Sequence, residues 1–126
     1  MFTQLLQYND IGLFLLRVAV AIIFLVHGLP KLSKSKEMSA MIGAPSYSFF
    51  VLGIFEVVSA IGLILGIYTQ IFALILSLVM LGAIKMKIIK WKVPFNASDK
   101  TGWEFDFILF IANIVIILSG GGLIVF

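Results

Sequence analysis

The chain has 126 residues, of which 62% are hydrophobic and 12% are charged, and its formal net charge is +3. A soluble domain has about a quarter of its residues charged, so this composition excludes a water-exposed globular fold and predicts a membrane protein. Cysteine is absent and histidine occurs once, which excludes disulfides, thiol chemistry and any haem or zinc site built from several histidines of one chain. We therefore expect no bound metal and no covalently attached cofactor.

The first predicted element is a membrane-spanning helix over residues 11–29, because an apolar run of about twenty residues matches a ~30 Å hydrocarbon core. Pro30 is predicted to end it. This span contains two ionisable residues, Arg17 and His27. A short helix at the membrane interface is predicted over residues 36–42.

A second span is predicted over residues 49–67, followed by the polar step Tyr68–Gln70, which is long enough only for a tight helical hairpin. The third span is predicted over residues 71–89, apolar as far as Ile84. Its last lysines, Lys85 and Lys87, are expected to reach the lipid headgroups. The fourth span is predicted over residues 104–124, and its end contains three successive glycines that should bend or fray it.

These elements predict an all-α, polytopic membrane protein, a four-helix bundle forming one domain over residues 1–126. All eight lysines fall in the segments 30–48 and 85–103. Positively charged loops stay in the cytoplasm, so we expect a plasma-membrane protein with both lysine-rich loops inside and both termini outside. Lipid and topology also explain the positive charge without nucleic acid.

Charged residues within the spans must face each other or a wet cavity, since each costs about 2.5–3.5 kcal/mol near the bilayer centre. Helical spacing turns Arg17 and Glu56 inward, where they form either a structural ion pair or part of a functional pocket. His27 is either a satisfied interfacial histidine or a ligand-binding group. Glu104 and Asp106, in the first turn of the fourth span, either complement the helix dipole or belong to the pocket. The candidate site comprises Arg17, His27, Lys31, Glu56, Glu104, Asp106 and Asn113.

Several motifs follow one another along the chain: Arg17, His27-Gly28-Leu29-Pro30-Lys31, Glu56 with Ser59-Ala60, Gly62-Leu63 and Leu65-Gly66, and Gly102-Trp103-Glu104. Their order resembles that of the DoxX family of small four-helix membrane proteins over nearly the whole chain. One departure is Gly120-Gly121-Gly122, where members often have Gly-Pro-Gly.

The resemblance implies a subunit of a membrane redox system, such as a thiosulfate:quinone oxidoreductase or an oxidative-stress complex, rather than a self-sufficient enzyme. His27 and Lys31 would then contact a quinone, and Glu56 or Glu104 would handle protons. Partners would be the lipid bilayer and either other subunits or further copies of the chain. Two alternatives remain open: a non-catalytic membrane scaffold or assembly factor, and a small proton-coupled transporter.

Overall fold

The computed structural model describes residues Met1–Phe126. It is all-helical, as predicted, with five α-helices: α1 Asn9–Ser33, α2 Ser35–Met41, α3 Ser48–Leu65, α4 Thr69–Lys85 and α5 Trp103–Ser119. A 3₁₀ turn, Thr3–Tyr8, precedes α1, and a π-helical turn, Met86–Lys90, follows α4.

Three helical stretches are long and apolar enough to cross a membrane: Thr3–Ser33, Ser48–Leu65 and Thr69–Lys90. Helix α5 has 17 residues. At 1.5 Å per residue it reaches about 25 Å, less than the ~30 Å of a typical hydrocarbon core. Large apolar side chains point away from the protein on every long helix, among them Ile22 (52% exposed) and Leu78 (59% exposed). Such surfaces suit lipid better than water.

The predicted end of the first span at residue 29 is wrong. Pro30 lies inside α1, which continues to Ser33, and the Lys34 N–H donates to the Pro30 carbonyl at 2.7 Å. A proline removes one hydrogen bond of the helical ladder. Because Pro30 stands in the last turn, losing that bond does not end the helix.

The predicted fourth span to residue 124 is also wrong at its end, because α5 stops at Ser119. The next three residues, Gly120, Gly121 and Gly122, have φ angles of 77°, 82° and 83°, a left-handed conformation that favours glycine. The chain then turns back across the end of the bundle, where the Phe126 N–H donates to the Leu65 carbonyl at 2.7 Å. We call residues 120–126 the tail.

The other bounds differ from prediction by a few residues. Helix α3 ends at Leu65 rather than 67, because Gly66 adopts a φ of 78° and caps it. Helix α4 begins at Thr69 and gives way to the π-helical turn after Lys85. The short helix α2 matches the predicted 36–42 to within one residue.

The helices pack in two pairs: α1 lies chiefly against α3, and α4 chiefly against α5. The tight turn between α3 and α4 joins the pairs at one end. Small residues, Ala21, Ala60 and Ala73, are fully buried and let the helix backbones approach closely. Larger side chains fill the remaining core: Val20, Phe24, Leu63, Leu76, Leu109 and Ile116.

Candidate functional site

A cavity of about 800 Å³ opens between the two helix pairs, at the end of the bundle opposite the α3–α4 turn. Most of its lining is apolar, and its floor is formed by the buried side chains of Phe24, Met80 and Leu109. Its charged side chains come from both pairs and form two lysine–carboxylate ion pairs. Ligand pockets in proteins have this size and this mixture of apolar wall and few polar groups.

The first ion pair joins α1 to α3. Lys31 Nζ donates a hydrogen bond to Glu56 Oε1 at 2.6 Å. The Glu56 side chain is 1% exposed and that of Lys31 is 15% exposed, so the carboxylate is shielded while the ammonium group borders the cavity. The second carboxylate oxygen, Glu56 Oε2, is buried without a hydrogen-bond partner.

Two glycines make this pair possible by bringing the backbones of α1 and α3 together. A Cβ atom at Gly53 would lie 3.0 Å from the Gly28 carbonyl oxygen and 3.0 Å from Lys31 Cβ. A Cβ atom at Gly28 would lie 3.1 Å from Glu56 Cβ. Larger residues at these positions would push the helices apart and separate the two charges.

The second ion pair joins the π-helical turn after α4 to α5. Lys87 Nζ lies 2.6 Å from Asp106 Oδ2, with 16% and 6% of the two side chains exposed. The prediction that Lys87 reaches the lipid headgroups is wrong, because its side chain points into the bundle. The sequence does contain a signal for this ion pair, because Lys87 and Asp106 stand on either side of one loop. Consecutive antiparallel helices bring such residues to similar depth.

His27 lies between the two ion pairs on the α1 wall of the cavity. Its ring packs against Phe105 of α5, with ring centroids 5.4 Å apart at an angle of 50°. It makes no side-chain hydrogen bond within the chain and is exposed toward the cavity. Both ring nitrogens are therefore free to bind a ligand.

The cavity brings together four of the seven sequence-predicted candidates: His27, Lys31, Glu56 and Asp106. Glu104 is exposed and does not line it. Asn113 is fully buried deeper along α5, where its Nδ2 donates to the Leu109 carbonyl at 2.8 Å. The remaining candidate, Arg17, also lies outside the cavity.

The predicted ion pair between Arg17 and Glu56 does not form. Arg17 is fully buried near the opposite end of the bundle, and its Nη2 donates to the Ile124 carbonyl of the tail. Its guanidinium also lies 5.5 Å from the ring centre of Phe14. The tail therefore supplies one acceptor to Arg17, whose Nε and Nη1 atoms are buried without a hydrogen-bond partner, and Glu56 pairs with Lys31 instead.

Chemically, the cavity offers hydrogen-bond donors on an apolar wall. The ammonium groups of Lys31 and Lys87 and the imidazole of His27 can donate to acceptor oxygens, while Glu56 and Asp106 balance the charge. Rings line the same space, among them Phe49, whose centroid is 6.0 Å from Lys31 Nζ, and Phe105, 6.0 Å from Lys87 Nζ. A flat, largely apolar molecule carrying oxygen acceptors fits this combination.

The helices and the cavity define a class: a small helical membrane protein with an internal site framed by two lysine–carboxylate pairs. The chain belongs to the DoxX family, whose profile matches residues 12–91. A curated relative from Bacillus subtilis (strain 168), named "Putative oxidoreductase CatD", is 33% identical over 114 residues, covering 88% of this chain and 81% of the relative. No solved structure matches the chain.

Proposed function

We propose that this protein is the quinone-binding subunit of a membrane redox system. The observation that carries the proposal is the cavity itself, a mostly apolar chamber lined by two lysines, their two carboxylates and one histidine without an internal hydrogen-bond partner. The name of the Bacillus subtilis relative, an oxidoreductase by its printed wording, agrees with a redox role.

The residues of the cavity suit a quinone head group in size and chemistry. A volume of about 800 Å³ lies within the range of pockets that bury drug-sized ligands. His27, Lys31 and Lys87 would hold the carbonyl oxygens by hydrogen bonds, and the rings of Phe49 and Phe105 would contact the flat face. A bound quinone would supply electron and proton transfer.

Within this site the two carboxylates keep the lysines in place and balance their charge in a medium of low dielectric. Glu56 Oε2 is buried and has no hydrogen-bond partner, so it is a ready acceptor for a proton released or taken up at the ligand. The chain has one histidine and no cysteine. Electrons would therefore come from a partner subunit.

We also propose that α5 completes a fourth crossing, with both termini outside the cell and the lysine-rich loops in the cytoplasm. The Leu123 N–H of the tail donates to Asp10 Oδ1 at 3.0 Å, which supports the two termini lying on one side of the membrane. The lysines lie toward the other end, as the positive-inside rule requires.

Tryptophan fluorescence tests the binding proposal directly. Trp91 lines the cavity and Trp103 does not, so a Trp103→Phe background leaves Trp91 as the reporter. We expect a short-tailed benzoquinone to quench this signal saturably, and His27→Ala to weaken binding about tenfold. Quenching that does not saturate, or that is unchanged in His27→Ala, contradicts the proposal.

A matched pair of lysine variants separates the site from general surface charge. Lys31 lines the cavity, whereas Lys34, one turn further along, is exposed and does not. Lys31→Met should weaken quinone binding, whereas Lys34→Met should bind the quinone as the parent does. Purified protein that retains a partner subunit but binds no quinone in any variant would favour the scaffold function instead.

A further inference from the structure

The wall of the cavity formed by α3 and α4 is continuous with the outer, lipid-facing surface. Phe55 of α3 and Leu78 of α4 both line the cavity, yet they are 50% and 59% exposed. Side chains buried on all sides would be closed off from lipid. These two therefore form a rim at which the cavity meets the membrane side of the bundle.

The spacing of α3 and α4 changes along their length. Near the turn that joins them, a Cβ atom at Gly62 would lie 2.1 Å from the Phe72 ring, so the helices are in close contact there. Gly82, near the far end of α4, also lines the cavity, and a Cβ atom there would meet no atom within 4 Å. A gap beside Gly82 therefore lies on the apolar rim.

The loop end of the cavity is covered instead. Met38 and Ile42 of the α2 region, together with Trp91, line it on that side. Lys90 Nζ donates to the Ile42 carbonyl at 2.7 Å, and this bond ties the α2 region to the segment after α4. The loop end of the cavity is thus closed by this hydrogen bond, whereas the lipid-facing side is open beside Gly82.

We propose that the gap beside Gly82, between Phe55 and Leu78, holds the apolar tail of a membrane-dissolved ligand whose head group lies against Lys31, Lys87 and His27. The ligand class is a prenylated quinone rather than a water-soluble aromatic compound. This inference rests on the proposed function and deepens it. An apolar tail leaving past Phe55 and Leu78 would stay in hydrocarbon, while the oxygen acceptors remain at the charged groups.

Two quinones and two glycine variants test the tail position in liposomes. The probes are a benzoquinone carrying an isoprenoid tail and the same ring without the tail, both measured by Trp91 quenching. Gly82→Phe places a ring in the gap, and no atom lies within 4 Å of its new Cβ. Gly12→Phe adds the same ring at an exposed helical glycine outside the cavity.

The expected result is that Gly82→Phe weakens binding of the tailed quinone about tenfold and leaves the tail-less ring unchanged. Gly12→Phe should match the parent with both probes, with circular dichroism confirming equal helix content in both variants. If both quinones bind and Gly82→Phe affects neither, or both equally, the tail position is overturned while the proposed function stands. If the parent binds neither quinone, the proposed function itself fails and this inference fails with it.

Discussion

Lys31 Nζ and Glu56 Oε1 lie 2.6 Å apart between α1 and α3, at the level where Gly28 and Gly53 let the two backbones pack closely. The ion pair and the glycine contact depend on each other: the backbones must approach for the charges to meet, and the charges hold the helices at that separation. The same pair borders the cavity, so one arrangement determines both the packing of the first helix pair and the charge available to a ligand.

Removing only the lysine of this pair should destabilise the protein strongly. Lys31→Met leaves the 1% exposed Glu56 carboxylate without its counter-charge, and breaking a buried pair this way costs about 3–5 kcal/mol. The double variant Lys31→Met/Glu56→Gln removes both charges and should recover most of that loss. Thermal unfolding in detergent, followed by circular dichroism, measures both. A double variant as unstable as the single one would show that the charges are not coupled.

A methyl group at Gly66 should disrupt the packing of the tail. Its Cβ would lie 2.6 Å from Arg17 Nη1 and 2.8 Å from Val125 Cγ1, and its φ is 78°. Strained backbone and overpacking together predict a loss of about 2–4 kcal/mol in the free energy of unfolding for Gly66→Ala. Gly12→Ala is the matched control, because nothing lies within 4 Å of that position. It should stabilise its helix by about 0.5–1 kcal/mol. Equal effects at the two glycines would rule out this packing.

The two carboxylates that open α5 should behave differently toward a ligand. Asp106 pairs with Lys87 on the cavity wall, whereas Glu104 is exposed and does not line the cavity. Asp106→Asn should weaken quinone binding about tenfold by releasing Lys87, and Glu104→Gln should leave it unchanged. Fluorescence titration of both variants gives the answer. A larger effect at Glu104 than at Asp106 would mean that the ligand lies outside the cavity.

The proposed orientation can be tested by labelling, because the natural chain has no cysteine. Thr3 and Ser98 are exposed residues near the N-terminus and in the loop before α5. In intact cells, a membrane-impermeant maleimide should label Thr3→Cys but label Ser98→Cys only after permeabilisation. The reverse pattern would invert the topology, and labelling of both in intact cells would exclude a single orientation.

Hydropathy predicted the helices well and their ends poorly. Apolar runs show where a helix is stable in lipid, so α1, α3 and α4 appear where expected. The ends depend on backbone conformation: Pro30 is tolerated in a last turn, while Gly66 and Gly120 adopt left-handed angles that stop α3 and α5. An apolar sequence continues past Gly122, so hydropathy extends the fourth helix through a segment that in fact turns back.

The candidate site was predicted in part, for a related reason. Helical periodicity correctly turned Arg17 and Glu56 inward, but it does not identify their partners. Arg17 binds a backbone carbonyl, and every residue carries one, so residue types give no signal for this contact. Lys87 was assigned to the headgroups because it follows an apolar run. Its pairing with Asp106 joins two helical elements across a loop, a relation that the hydropathy of a single span does not contain.

The two ion pairs each lie within one helix pair, and neither connects α1 and α3 to α4 and α5. At the cavity end, one side-chain hydrogen bond, from the exposed Lys90 to Ile42, links the pairs. At the opposite end they are joined covalently by the α3–α4 turn, and the tail adds hydrogen bonds to Asp10, Arg17 and Leu65. Moving the two helix pairs apart at the cavity end would therefore break neither ion pair, whereas at the tail end it would break hydrogen bonds and strain a covalent turn.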